Sequence, residues 1–297
     1  MGSVTGKVVL ITGAANGIGA EVAERLHRKA AKLVLVDLDE ERLEQVARRL
    51  RDSGGPDTVH TVVGDVRDYA AMQSAADQGV ERFGGIDVVM ANAGIATYGS
   101  VLQVDPKAFQ TLMDVNVVGV FNTVRAALPS IIDRRGYVLI VSSAAAYAAA
   151  PGMAPYDAAK AAVEHFANAL RLEVGYRGVA VGSAHMLWID TPLVRESRED
   201  LPSSRESLSR LPGPLGRTTS VAECAEAFVE GIEQRKRQIN CPRIVGLLRW
   251  LKPLLASPLG EAVAARDVAE LLPRMDAEVA ALGRSMSART QELENRG

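Results

Sequence analysis

Thr12-Gly13-Ala14-Ala15-Asn16-Gly17-Ile18-Gly19 sets three glycines between two apolar patterns of different period. In front of it stands Val8-Val9-Leu10-Ile11, a short unbroken apolar run. Behind it Ile18, Val22, Leu26 and Ala30 recur at helical spacing, with Glu21, Glu24, Arg25 and Arg28 on the other face. An unbroken run is what a strand shows when helices cover both faces of its sheet, and the recurring one is an amphipathic helix. The glycines therefore occupy a strand-to-helix turn. There they let the backbone approach a pyrophosphate with no Cβ in between, and the helix N-terminus offers free N–H groups and the positive end of its dipole. A glycine triplet alone is an ordinary loop. This one is followed by Asp37 at the end of the next apolar run, and in that context it reads as a dinucleotide site.

The same alternation runs outward from this turn. Further nearly continuous apolar runs occupy residues 33–36, 59–63, 86–90, 137–141 and 179–184. The stretch after the second run sets Leu43, Val46, Ala47 and Leu50 against Glu40, Glu41, Arg42 and Arg48. Strand–helix alternation of this kind predicts an α/β fold, a doubly wound parallel sheet of Rossmann type, in a single domain with a C-terminal helical extension. The main domain is expected over residues 1–242 and the extension over 243–297. After residue 190 the rhythm changes. Residues 192–217, with Pro192, Pro202, Pro212 and Pro214, show no clean period and read as a long lid loop. A helix is expected from about residue 221 to 237. The tail from about Asp276 is polar and helix-favouring, and is expected to be solvated.

Composition excludes several classes. The 297 residues carry 34 basic and 36 acidic side chains, a net charge of −2. A duplex-binding protein would carry a basic excess, so no nucleic-acid partner is expected. Two cysteines, Cys224 and Cys241, make no disulfide framework and point to a reducing, cytoplasmic setting. The N-terminal apolar run is too short for a secretory signal. His27, His60, His165 and His185 show no metal-like grouping, and no metal is expected. Residues 243–256 are apolar with Arg243, Arg249 and Lys252 beside them. Peripheral membrane contact is one reading; packing on the chain's own domain, over a pocket or against another subunit is preferred.

Asp37 bears on the choice of dinucleotide. A carboxylate at the end of the second strand accepts hydrogen bonds from a ribose diol and repels a 2′-phosphate. Its neighbours Asn16, Leu38 and Asp39 include no cation to receive such a phosphate. NAD is therefore expected in preference to NADP.

Tyr156 and Lys160 form Y-x-x-x-K in an alanine-rich stretch, and a spacing of four places both on one helical face. A cation about 4 Å from a phenol, at an effective dielectric of about 20, contributes roughly 4 kcal/mol, or about three pK units toward the range of a general acid–base. The pair alone arises by chance in many helices. Ser143 ends the fifth apolar run thirteen residues earlier, next to Ser142, and Asn116 precedes both.

Residues 5 to about 195 resemble the short-chain dehydrogenase/reductase family in the glycine spacing and in the order of these motifs. The resemblance implies that Gly13, Asn16, Gly17, Ile18 and Gly19 hold the cofactor phosphates and that Asp65-Val66 touch the adenine. It assigns Asn92-Ala93-Gly94 to a sheet-stabilising turn close to the cofactor. It makes Asn116, Ser143, Tyr156 and Lys160 the catalytic set. Ser143 then hydrogen-bonds the substrate oxygen, Lys160 also reaches the nicotinamide ribose, and the Asn116 backbone holds a water linking Lys160 to solvent. Met186-Leu187 stands where the family has Pro-Gly, which leaves the backbone path open; Ile189 and Thr191 are carried over as carboxamide and phosphate contacts. The family also implies pairing of two helices, here about 106–132 and 156–176, across a two-fold axis in a dimer or tetramer. The expected activity is hydride transfer between NAD(H) and a hydrophobic alcohol or ketone. The rival is a non-catalytic NAD sensor, which should have lost Tyr156 or Lys160; this chain has both.

Overall fold

The computed structural model describes residues 3–211 and 213–294. β1 (Val8–Thr12), buried along its whole length, leads through the glycine turn into α1 (Gly17–Arg28). β2 (Lys32–Asp37), α2 (Glu40–Gly54), β3 (Val59–Val63) and α3 (Tyr69–Phe83) continue the alternation. Asp39 and Asp68 cap α2 and α3, their carboxylates accepting from the N–H groups of Arg42 and Ala70. After β4 (Val88–Ala91), α4 (Pro106–Met113), a π-helical turn (Asp114–Val118) and α5 (Gly119–Asp133) form one unbroken helix. β5 (Tyr137–Val141), α6 (Ala154–Val174) and β6 (Ala180–Met186) complete the part anticipated from the apolar runs.

The remainder is β7 (Trp188–Ile189), α7 (Pro192–Asp200), α8 (Pro202–Arg210), β8 (Thr218–Thr219), α9 (Val221–Glu233) and β9 (Gln238–Cys241). The extension folds as α10 (Val245–Leu255), α11 (Pro258–Ala264), α12 (Val268–Leu282) and α13 (Ala288–Glu294).

Seven parallel strands lie in the order β3-β2-β1-β4-β5-β6-β9. One face packs α1, α2 and α9, with Leu26, Leu43 and Phe228 among the buried residues; the other packs α3, α5 and α6, with Met72, Ile131 and Leu170. Strand order reverses between β1 and β4, and a crevice opens at that switch point beyond the C-terminal strand ends. The Pro106–Asp133 helix is long and apolar enough to cross a membrane, but half of its most apolar stretch is buried inside the fold. It is a core helix, in contact with α3 and β4.

Several expectations need correction. The 192–217 segment is not a long loop: α7 and α8 fill most of it, each with proline in its first turn, where the missing N–H costs nothing and the fixed φ suits a helix. Pro212 and residues 295–297 lie outside the described residues. The seventh strand, β9, was not anticipated, because Gln238 and Asn240 break its apolar run. The helix expected to reach residue 237 ends at Glu233, and Arg235 turns with φ 49°. The tail from Asp276 is not solvated along its length: Val279, Ser285, Met286 and Ser287 are buried. In α10, Val245 and Leu248 pack onto Ala146 and Tyr147, while Leu247, Trp250 and Leu254 face outward.

Candidate active site

The glycine turn is pressed against the end of β4. A Cβ on Gly19 would meet the Gly13 carbonyl oxygen at 2.1 Å, and one on Gly13, whose φ is +66°, would meet the Ala93 Cα at 2.9 Å. No side chain fits either place. Asn92 fixes this approach, its Nδ2 donating to the carbonyls of Thr12 and Gly13 at 3.0 Å each. Thr12 Oγ1 accepts from the backbone N–H groups of Asn92 and Ala93. Asn16 precedes α1 in extended backbone without bonding back through its side chain, so the first N–H groups of α1 remain open at the cleft. This bare-backbone cradle fits a dinucleotide pyrophosphate.

Asp37 lies at the end of β2, its Oδ2 accepting from Ala15 N–H at 2.8 Å and its Oδ1 from Asp39 N–H at 3.0 Å. Burial pushes its carboxyl up, and the two backbone N–H groups hold it down. The expectation that no cation stands nearby is corrected. Arg289 of α13 enters the same cleft and donates to Asp39 Oδ2 at 3.0 Å. Asp65, after β3, is engaged by Arg67 at 2.6 Å and lines the cleft beside Val66.

The catalytic candidates converge below the strand ends. Ser143 follows β5 and lines the cleft with Tyr156; its hydroxyl donates weakly to Met186 O at 3.4 Å and accepts from Ala145 N–H at 3.2 Å. Behind it, the buried His185 ring stacks on Tyr147 with centroids 4.5 Å apart, one nitrogen 3.2 Å from Ser143 O and the other 2.9 Å from Ser183 Oγ. Burial holds this imidazole neutral, pushed down to about 4. Ser142 donates to the Lys160 carbonyl at 2.8 Å, fixing α6 against the sheet.

Asn116 is fully buried in the π-helical turn, a feature often found at functional sites. Its side chain brackets Ile95, accepting from Ile95 N–H at 2.8 Å and donating to Ile95 O at 2.9 Å. A Cβ built on Gly94 would meet both Asn116 Oδ1, at 3.2 Å, and Lys160 Nζ, at 3.5 Å, so these groups meet at one point.

The Tyr156–Lys160 electrostatics also differ from expectation. Lys160 Nζ lies 5.5 Å from the Tyr156 ring centroid and donates to Val141 O at 3.1 Å. Tyr156 is half-buried and lines the cleft. Burial pushes the phenol up to about 12, and the Ser143 hydroxyl pulls the other way. Burial pushes the ammonium down to about 8. Desolvation of each group outweighs their attraction.

Residues 7–202 match the short chain dehydrogenase family. The chain belongs to the short-chain dehydrogenase family. An NAD-dependent oxidoreductase of Mycobacterium tuberculosis is 34% identical over 208 residues, covering 65% of this chain and 75% of that protein. The 11-beta-hydroxysteroid dehydrogenase A of Sesamum indicum is 38% identical over 173 residues, 58% of this chain and 49% of that one. The crystal structure of a short-chain dehydrogenase/reductase from Burkholderia phymatum in complex with NAD superposes with a TM-score of 0.75 at 26% identity, covering 87% of this chain and 98% of that one. This chain is thus an NAD-dependent oxidoreductase.

The dehydrogenase departs from its family at Met186-Leu187, and the structure shows the path taken. β6 stays paired with β9 to its end, Met186 in register with Cys241, and Leu187 N–H donates to Cys241 O at 3.0 Å. Ile189 and Thr191 follow as buried residues that line the cleft. The cleft encloses about 280 Å³, within which all the expected site residues except Gly19 and the buried Asn116 form the lining. Arg67, Arg289, Thr290, Leu293 and Glu294 also line it and were not anticipated. Arg67 directly follows Val66, whereas the four residues of α13 are brought there from far along the chain by the fold.

Proposed function

We propose that this enzyme interconverts a hydrophobic secondary alcohol and its ketone with NAD(H), and prefers NAD to NADP. The observation that carries the reading is that Ser143, Tyr156 and buried Lys160 line one cleft beside the glycine cradle. Tyr156, pushed up to about 12, holds its proton at neutral pH and can donate it to a substrate oxygen as general acid, or accept one in the opposite direction. Ser143 is placed to donate a hydrogen bond to that oxygen as charge develops. Lys160, at about 8, remains mostly protonated at pH 7 and holds a positive charge beneath the site. Asn116 fixes Ile95 and the wall above Lys160. NAD, when bound, supplies the hydride acceptor.

Preference for NAD is supported by Asp37, whose carboxylate is fixed toward the cleft, and by the pairing of Arg289 with Asp39. A hydrophobic substrate is supported by Ile95, Val115, Met186, Leu187, Leu193 and Val194 along the lining. The name of the sesame relative points to an alicyclic alcohol. We further propose a homo-oligomer formed through the outer faces of α4, α5 and α6. Phe121 and Phe166 pack together there with centroids 6.2 Å apart, and Leu172 and Tyr176 are 83% and 78% exposed.

The test is NADH formation across a panel of linear and alicyclic secondary alcohols, for the wild type and Tyr156→Phe. Turnover by the variant should fall by at least ~10²-fold, the usual cost of losing a general acid–base. Full activity in Tyr156→Phe would refute the assignment.

A further inference from the structure

We propose that α13 is part of the cofactor site: a strap across the adenosine half of the cleft, held closed by Arg289 and Glu294. This rests on the NAD reading above and extends it to a segment beyond the family-matched residues 7–202. Arg289, Thr290, Leu293 and Glu294 line the same cleft as Asp37, Asp65 and Val66. The two charged residues tie the strap to opposite sides of that half. Arg289 reaches Asp39, just after β2, at 3.0 Å. Glu294 accepts from Arg67, just after β3, at 2.8 Å through both oxygens. All four side chains are largely covered, between 14% and 24% exposed, so the pairs are better shielded than ordinary surface bridges.

The root of the strap is fixed separately. Gly283, with φ +65°, ends α12 and turns the chain. Tyr98 N–H donates to Ser285 O at 3.0 Å, and Asp105 N–H to Ser285 Oγ at 3.2 Å, pinning the connection to the loop after β4. Arg284 pairs with Asp200 of α7 at 2.6 Å. The helix is therefore delivered to the cleft by a buried anchor and closed by two ion pairs at its free side. Arg289 does not stand as a loose cation beside Asp37. Asp39 engages it, and the acidic residue remains the group that faces the ribose. Leu293 adds apolar surface to a lining that already holds Val66 and Leu38. Closure preorganises that surface, and preorganisation raises affinity by cutting ordering costs at binding.

Calorimetric titration of the full chain, a chain ending at Ser287, and Arg289→Ala/Glu294→Ala tests this with NAD, ADP-ribose and nicotinamide mononucleotide. Ending at Ser287 keeps the anchor, and a thermal melt checks the fold. NAD and ADP-ribose should bind the shortened chain at least about tenfold more weakly, equivalent to about 1.4 kcal/mol, with the double variant following in the same direction. The mononucleotide, which lacks the adenosine half, should bind all three alike. A shortened chain that binds NAD within twofold of the full chain, or more tightly, overturns the strap. Equal weakening toward the mononucleotide also overturns it. A full chain that binds none of the three brings down the NAD reading itself, so the two failures are told apart.

Discussion

Asp157→Asn isolates a cost that the fold carries beside Tyr156. Asp157 Oδ2 accepts the Ala150 N–H at 2.7 Å and so closes the loop in front of α6, while Oδ1 is buried with no partner. Burial dominates and pushes the carboxyl up to about 7. A carboxyl whose folded pKa lies above its unfolded value binds its proton more tightly in the native state. Its contribution is therefore intact below the unfolded value and is lost as pH rises through the folded one. About three pK units at about 1.36 kcal/mol each set the loss at up to about 4 kcal/mol by pH 8. Asparagine keeps an acceptor for Ala150 and carries no charge. The variant should match the wild type near pH 4 and lead it increasingly toward pH 8, as read by urea unfolding at several pH values. Catalysis gives a second readout. The Asp157 charge raises the Tyr156 pKa, so its removal should move the alkaline limb of the rate profile to lower pH. A stability difference that stays flat between pH 4 and pH 8 would refute the reasoning.

Gly19→Ala places a Cβ 2.1 Å from the Gly13 carbonyl oxygen and must open the turn; a displacement of about 1 Å should weaken NAD binding by on the order of 10²-fold by calorimetry, with the fold retained. Asp37→Ala should weaken NAD and narrow its lead over NADP, and equal affinities for the two in the wild type would sink that preference. Phe121→Glu with Leu172→Glu should shift the oligomer toward monomer in light scattering. A wild type that already runs at the 31.6 kDa monomer mass with full activity would remove the assembly proposal.

What was legible in the sequence is what repeats locally. Four of the apolar runs, β1, β2, β4 and β5, could be read because each is buried on both faces and so shows as an unbroken run. The edge strand β3, half-exposed and holding His60 and Thr61, followed from its place in the alternation. The glycine turn could be read because its backbone excludes any side chain, and Gly19 leaves no room even for Cβ. Tyr156 and Lys160 could be placed on one face of α6 by spacing, but not the balance of forces between them. Spacing predicts an ammonium near a phenol. Only the packing shows the ammonium buried and drawn to Val141 O, and desolvation moving both pKa values.

The C-terminal segment escaped for a related reason. A polar stretch looks solvated when its partners lie far away in the chain. Glu294 meets Arg67 across 227 positions, and Arg289 meets Asp39 across 250. Nothing in the period of residues 276–294 encodes those pairings, because each partner is charged and belongs on a surface until the other covers it. The same logic hides Asp276, whose Oδ2 accepts from Ser100 Oγ at 2.6 Å, and Glu278, whose Oε2 accepts from Ser203 Oγ at 2.6 Å. Together these contacts bind α12 to the loop after β4 and to α8, while α13 reaches over the cofactor end. A substitution that frees α12 should therefore loosen α7, α8 and the strap at once, since Glu278 holds Ser203 of α8 and Arg284 holds Asp200 of α7.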